Sequence, residues 1–319
     1  MVQLELSRTY MFSDVGQEHK GIHPFIKNKY HQNLINLCNN TGSLPNGFVN
    51  KPPAALPTNI QAHFNRCPIS ISPPGQNFLI DFLISLSCCS AGSSDLWVPS
   101  TSCISSACSS KKHTLTPLPP PLPNYTDTVT VASITASNQM FSPIFTLSSD
   151  FEDDPSNGIL SLTFPAISNL HADPFFFTAS KQGGTVASNK FGLYLTSTGS
   201  ELYLGGTNFT HYLGQIKYYC GINLSTRFWQ TTGGSISDGS SIMISNFDTI
   251  TDSGTNIMYG LPSAVQQFYN FNLRPTLPGS SQCIGALSGQ DFGLGDSFVE
   301  NVYTTFNFDQ NAVGFAHLA

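Results

Sequence analysis

Charge is what this sequence has least of: 13 Lys and Arg and 19 Asp and Glu in 319 residues, 10% of the chain. Solvated helices are built largely from Glu, Lys, Arg and Ala, so this scarcity argues against a helical bundle. No basic run exceeds two residues and the net charge is −6. A nucleic-acid partner is therefore not expected, because neutralising phosphates takes a stripe of cations. No apolar run is long enough to span a bilayer, so no membrane partner is expected. The nearest candidate, "NFLIDFLISLSCC", is short and broken by Asp81. The first residues, "MVQLELSRTYMFSDVGQEHKG", lack the apolar stretch of a signal peptide. No Cys-x-x-Cys faces a second one or a paired histidine motif, and no glycine-rich phosphate loop is visible. Neither a metal nor any other cofactor is expected.

What is abundant is Gly, Ser, Thr, Pro and Phe. The segments "DTVTVASITA", "FGLYLTS" and "SELYLGG" alternate apolar with polar residues and end at Gly or Ser/Asn clusters. That period of two predicts half-buried strands and a mostly β fold. One helix is predicted at "PSAVQQFYNF", Pro262–Phe271, with Pro in its first turn and Ala, Val and Phe on one face. The first 65 residues show no clear strand pattern and hold His19, His23, His31 and His63. They read as a pro-segment-like extension. Strands are expected from about Pro68 onward, with breaks at the proline run Thr116–Asn124 and at Asn272–Ser281.

Eight cysteines are present: Cys38, Cys67, Cys88, Cys89, Cys103, Cys108, Cys220 and Cys283. Cys103 and Cys108 enclose a Ser-rich loop and can close a small disulfide. Asn-x-Ser/Thr sequons start at Asn39, Asn124, Asn208 and Asn223. Each is common by chance in such a chain. With the low Lys content they lean towards a secreted protein. Trp229 and the run Pro174–Phe177 read as core. His113, His171, His211 and His317 are scattered and read as surface residues, and "FEDDP", Phe151–Pro155, as a solvated acidic turn.

The chemistry-bearing stretch is "DTITDSGTNIMYG". Asp252 follows a β-branched run, and Ser253, Gly254 and Thr255 come after it. The glycine permits a tight turn, and the hydroxyls can fix a carboxylate. Alone, Asp-Ser-Gly is an ordinary turn. Five blocks in order give it context: "GSSDLWVPSTSC" (Gly92–Cys103), "NGILSLTFPAIS" (Asn157–Ser168), "GSELYLGGTN" (Gly199–Asn208), "FWQ" (Phe228–Gln230) and "GDSFVENVYTTFNFDQNAVGFA" (Gly295–Ala316). From about Ile69 to Ala319 the chain resembles the pepsin-like aspartic proteases, most of all the secreted fungal ones.

The resemblance implies a bilobal acid-protease fold, mostly β with a few short helices. Expected parts are a pro-segment-like extension over 1–65, an N-terminal β lobe over 66–188 and a C-terminal β lobe over 189–319. It implies polypeptide substrates, a monomer and secretion. In that family each lobe supplies one Asp, and the two share a proton. Asp252 matches the second-lobe Asp, with Ser253, Gly254 and Thr255 in its supporting turn. Gly92 and Ser93 match the Gly and Ser after the first Asp, and Trp97 the residue that braces the flap. Cys103 and Cys108 match a family disulfide.

Two positions before Gly92, where the first Asp belongs, stands Ser90. Nine residues, Leu83–Ala91, occupy the place of two. They read as translated intron end, since Leu, Ile, Ser and Cys can all be written in pyrimidine-rich codons. Asp81 and Asp95 flank the gap, and loop geometry argues against either filling it. The flap hairpin expected between Cys108 and Asn124 is replaced by the proline run. The stretch that carries the usual partner of Cys283 is missing, which implies a free thiol there. The expectation is an aspartic endopeptidase framework, defective as written. The alternative is a non-catalytic peptide- or inhibitor-binding protein.

Overall fold

The computed structural model describes residues 3–5, 33, 35–42, 66–72, 82–85, 89–111, 125–131, 134–147, 151–152, 157–183, 186–196, 200–220, 222, 227–238, 241–255, 258–260, 262–271, 287–289 and 296–319. The proline run, the break at Asn272–Ser281, Asp81, His113 and Cys283 lie outside the described residues.

The chain is mostly β. Strands β2 (Arg66–Ser72), β3 (Phe82–Ser85), β4 (Cys89–Ser90), β5 (Leu96–Pro99), β6 (Tyr125–Val131), β7 (Ile134–Ile144) and β8 (Ile159–Ser161) form a seven-stranded sheet in the order β3-β2-β6-β7-β5-β8-β4. The residues read as an insertion are partly built into it. Leu83, Ile84 and Ser85 pair with Pro68, Cys67 and Arg66 in an antiparallel hairpin. Cys89 and Ser90 run parallel to Leu160 and Ser161. The alternating segment that begins at Asp127 spans β6 and β7, which pair antiparallel, as its period predicts.

A five-stranded sheet, in the order β10-β9-β16-β17-β11, comes from later chain: β9 (Lys190–Tyr194), β10 (Glu201–Leu204), β11 (Tyr212–Cys220), β16 (Val302–Asn307) and β17 (Ala312–Leu318). At its centre a β-carbon on Gly314 would sit 2.6 Å from Ile216 Cγ2 and 2.7 Å from Thr305 Cγ2. Only a bare backbone fits between those neighbours. Two smaller sheets complete the set: β1 (Gln3–Glu5), β12 (Gln230–Asp238) and β13 (Ser241–Ile250) in one, β14 (Met258–Gly260) and β15 (Leu287–Gly289) in the other.

Helices are few and short. Residues 35–41 are helical (α1), followed by α2 (Phe175–Gln182), α3 (Pro262–Phe271) and α4 (Asp296–Val299). Helix α3 has the bounds its sequence predicts. The Phe run falls on α2, with Phe175 and Phe176 buried. The first 65 residues differ from expectation by holding both α1 and β1, which pairs in parallel with Ser235–Ser237.

One aromatic cluster joins the early and late sheets. Trp229 is fully buried and lies 4.7 Å from Phe164, 4.6 Å from Phe308 and 5.1 Å from Phe306, ring centre to ring centre. Its indole N–H donates to Leu162 O at 3.3 Å, so the polar edge of the ring is satisfied inside the core. Phe164 follows β8 while Phe306 lies in β16. Burying these rings together is a strong term holding the halves in one body.

Candidate active site

Strand β13 delivers the candidate carboxylate. Its β-branched end, Thr249-Ile250-Thr251, runs into Asp252, and the chain turns at Ser253-Gly254. Asp252 is fully buried. Its Oδ1 accepts the Gly254 N–H at 2.9 Å and its Oδ2 accepts the Thr255 hydroxyl at 2.6 Å. Desolvating a carboxylate is costly unless donors replace the lost water, and this turn supplies two within three residues. Ser253 and Thr255 are buried with it.

The turn after β4 meets the carboxylate from the other side. A β-carbon on Gly92 would lie 2.5 Å from both Cγ and Oδ2 of Asp252. The glycine is therefore a steric requirement, because its bare Cα is what the carboxylate rests against. The Ala91 amide donates to Ser253 Oγ at 3.3 Å. Residues more than 160 positions apart thus join two tight turns back to back. Ser93 O accepts the Thr163 N–H at 3.1 Å, and the Ser94 hydroxyl donates to Phe164 O. Both ties fasten the first turn to the chain after β8.

Asp95 is committed elsewhere. It accepts the Ser168 hydroxyl at 2.6 Å and the Asn169 and Leu170 amides at 2.8 and 3.3 Å. It is the one carboxylate between residues 89 and 111, and it braces a turn rather than facing Asp252. Ser90, two before Gly92, lies in β4 beside Ser161. Trp97 packs edge-on against Phe151 at 5.5 Å, next to Ala107, Cys108 and Leu147. The chain it would brace as a flap lies outside the described residues. Cys103 and Cys108 are disulfide-bonded, with Cα atoms 6.1 Å apart. Among the described residues no group of His, Cys, Asp and Glu could hold a metal ion.

Sequence reasoning missed a third contributor. Asn33 is buried and its Nδ2 donates to Gly92 O at 2.6 Å. Leu37 is buried with Ile167, Phe228 and Ile250. Ile250 is two residues before Asp252, so this part of the first 65 residues sits at the candidate site. The available signal was the spacing Asn33, Asn36, Leu37, Asn40, one face of a helix.

Residues 123–273 match the family described as eukaryotic aspartyl protease. An aspartic protease of Phaffia rhodozyma is 31% identical over 78% of this chain and 75% of its own length. This chain belongs to the aspartyl protease family. Pepsin A of Sus scrofa is 28% identical over 79% of this chain and 80% of its own. Major aspartyl peptidase 1 of Cryptococcus neoformans is 24% identical, covering 78% and 68%. The fold is accordingly a pepsin-like one.

Proposed function

We propose that this chain is an aspartic-type endopeptidase by build, of the kind that works in acid, whose first carboxylate has been lost. In the reaction of the family one carboxylate takes a proton from water and the other, protonated, polarises the scissile carbonyl. Asp252 serves as the second-lobe member, held by Gly254 and Thr255. Ser90 cannot serve as the first, since a hydroxyl neither shares a proton with Asp252 nor acts as a base near neutrality. The observation that carries this reading is the commitment of Asp95 to the 168–170 turn, while Gly92 lies against Asp252. The polypeptide substrates and secretion of pepsin-like proteins come to this chain as part of the same proposal. So do a monomeric state, lobes over 66–188 and 189–319, and a pro-segment-like role for residues 1–65.

A second reading, a non-catalytic peptide-binding protein of the same fold, is favoured by the segment seated beside Asp252. The defect common to both is tested by hydrolysis of a denatured protein at roughly pH 3–5, where such proton-sharing carboxylates work. The chain is expected to show none, with Asp252→Asn making no difference. Hydrolysis abolished by Asp252→Asn would overturn the proposed defect.

A further inference from the structure

Two sequon asparagines lie among the described residues, Asn39 on the exposed side of α1 and Asn208 between β10 and β11. At Asn208 the fold adds to the motif. The residue opens the short turn Phe209–His211. Its backbone N–H donates to the Tyr303 hydroxyl at 2.9 Å. Its Oδ1 accepts the Thr210 N–H at 3.1 Å and the Thr210 hydroxyl at 2.7 Å. Its Nδ2 lies 3.0 and 3.1 Å from the two oxygens of Glu201. The two hydrogens of a planar amide diverge too widely to meet both oxygens of one carboxylate, so a single hydrogen is shared between them. Among the described residues the other hydrogen has no acceptor. Glu201 also faces His211 Nε2 at 3.6 Å, and the His211 ring stacks on Tyr194 at 4.2 Å. The Asn208 amide is thus held in one orientation with one N–H to spare.

The surface around this turn is apolar. Phe209, the middle residue of the sequon, is 78% exposed, and Tyr203 and Leu213 are exposed at 41% and 61%. Only two other large apolar side chains among the described residues stand out as far, Ile104 and Ile242. Tyr203 reaches towards Gly206, two positions before Asn208. Clustered apolar exposure of this kind marks a surface that something covers.

We propose that Asn208 is the acceptor of an N-linked oligosaccharide, and that its first sugar lies over Phe209. The step is a transfer from a lipid-linked oligosaccharide diphosphate. A bond forms from Nδ2 to the anomeric carbon, the bond from that carbon to the diphosphate oxygen breaks, the lipid diphosphate leaves, and one Nδ2 proton is lost to base. The hydrogen that remains is enough for Glu201, so the product keeps the bond that orients the amide. A pyranose ring presents C–H groups to the electron-rich face of a phenyl ring, and the sugar hydroxyls give the patch a polar exterior. The proposal rests on the reading of this protein as secreted, because the transfer takes place on the secretory route.

The test expresses the full chain in a yeast behind a cleavable leader. The leader forces entry, and its cleavage reports entry independently of any sugar. Protein from cells and medium together is treated with a peptide N-glycosidase, which leaves Asp where a glycosylated Asn stood, and its peptides are mapped by mass. Conversion at residue 208 in most chains is expected. Thr210→Ala is expected to abolish it and Thr210→Ser to retain it. Both are read in total protein, so a variant held inside the cell still counts. Binding of an apolar dye is expected to rise in Thr210→Ala, and Phe209→Ala in the same chain to remove the rise. A cleaved leader with residue 208 unconverted would overturn the proposal. Dye binding that ignores the loss of the glycan would overturn the seating on Phe209. Secretion is read separately, in the medium of the natural source. Its absence there would sink that reading and leave Asn208 a competent acceptor.

Discussion

Two turns meet at the centre of this molecule, and they differ in what they carry. The later one reads Asp252-Ser253-Gly254-Thr255 and the earlier one Ser90-Ala91-Gly92-Ser93. Both place a glycine third, and the Ala91 amide still finds the Ser253 hydroxyl. The later turn supplies a carboxylate with the Gly254 amide and the Thr255 hydroxyl to hold it. The earlier one supplies backbone. The meeting of the turns depends on bare Cα atoms and amides, which most sequences can provide, whereas catalysis depends on one side chain. On the proposed reading, architecture of this kind can outlast the chemistry it was arranged for.

The sharpest way to break the comparison is Gly92→Ala. Its methyl would need the space held by the Asp252 carboxylate. Overpacking a buried site typically costs about 1–3 kcal/mol, and the upper end is expected because the obstructing group is itself pinned by Gly254 and Thr255. A fall in the urea midpoint at unchanged slope would show it.

Next is the single bond between the turns. Ser253→Ala leaves the Ala91 amide without that acceptor in a buried place and is expected to cost about 1–2 kcal/mol. Ala91→Ser runs the other way. It adds a hydroxyl at a fully buried position of the earlier turn, with an expected gain of about 0.5–1 kcal/mol where that hydroxyl pairs with the later turn. If both changes prove neutral in chemical denaturation, the turns are held by their own sheets and not by each other.

Those turns also show how far a sequence can be read by eye. The tight turn at Asp252 was legible because a β-branched run ending in Asp-Ser-Gly-Thr marks one. The strands of 127–136, 190–194 and 201–204 were legible from alternation, and Pro262–Phe271 from its proline start and apolar face. Helix α2 was not, because three consecutive Phe have no period. Strand β1 pairs with chain more than two hundred residues away, and nothing local in Gln3–Glu5 names its partner, although "VQLEL" does alternate. Asp95 sits in a matched block, yet its hold on Ser168–Leu170 is a tertiary fact. The docked face of α1 is polar where a search for buried faces looks for apolar residues.

The smallest expected effect distinguishes the late sheet from the early one. Tyr303 in β16 is buried, and that burial pushes its hydroxyl up to about 12 from 10, partly offset by the Asn208 N–H it accepts and reinforced by Glu201. A group whose folded pKa is raised stabilises the fold fully below its unfolded pKa. That stability is lost as pH rises through the folded value. Stability should therefore fall between pH 10 and about 12 by an amount that Tyr303→Phe removes. Urea midpoints of the two proteins across this window measure it, and parallel curves would refute it. In β6, Asp127 is also raised by burial, against the Thr128 amide that lowers it. Its contribution is present in acid and fades as pH climbs through its folded value, at the opposite end of the scale.

The chain has two tryptophans, and they stand in contrasting places. Trp97 is only partly buried beside Phe151, whereas Trp229 is sealed among rings drawn from both early and late chain. Light emitted by Trp229 will be blue and shielded from quenchers for as long as Phe164 stays on it. A step in which the halves part while each sheet survives would redden and expose that signal alone. The molecule thus contains its own optical gauge of whether its two turns are still together.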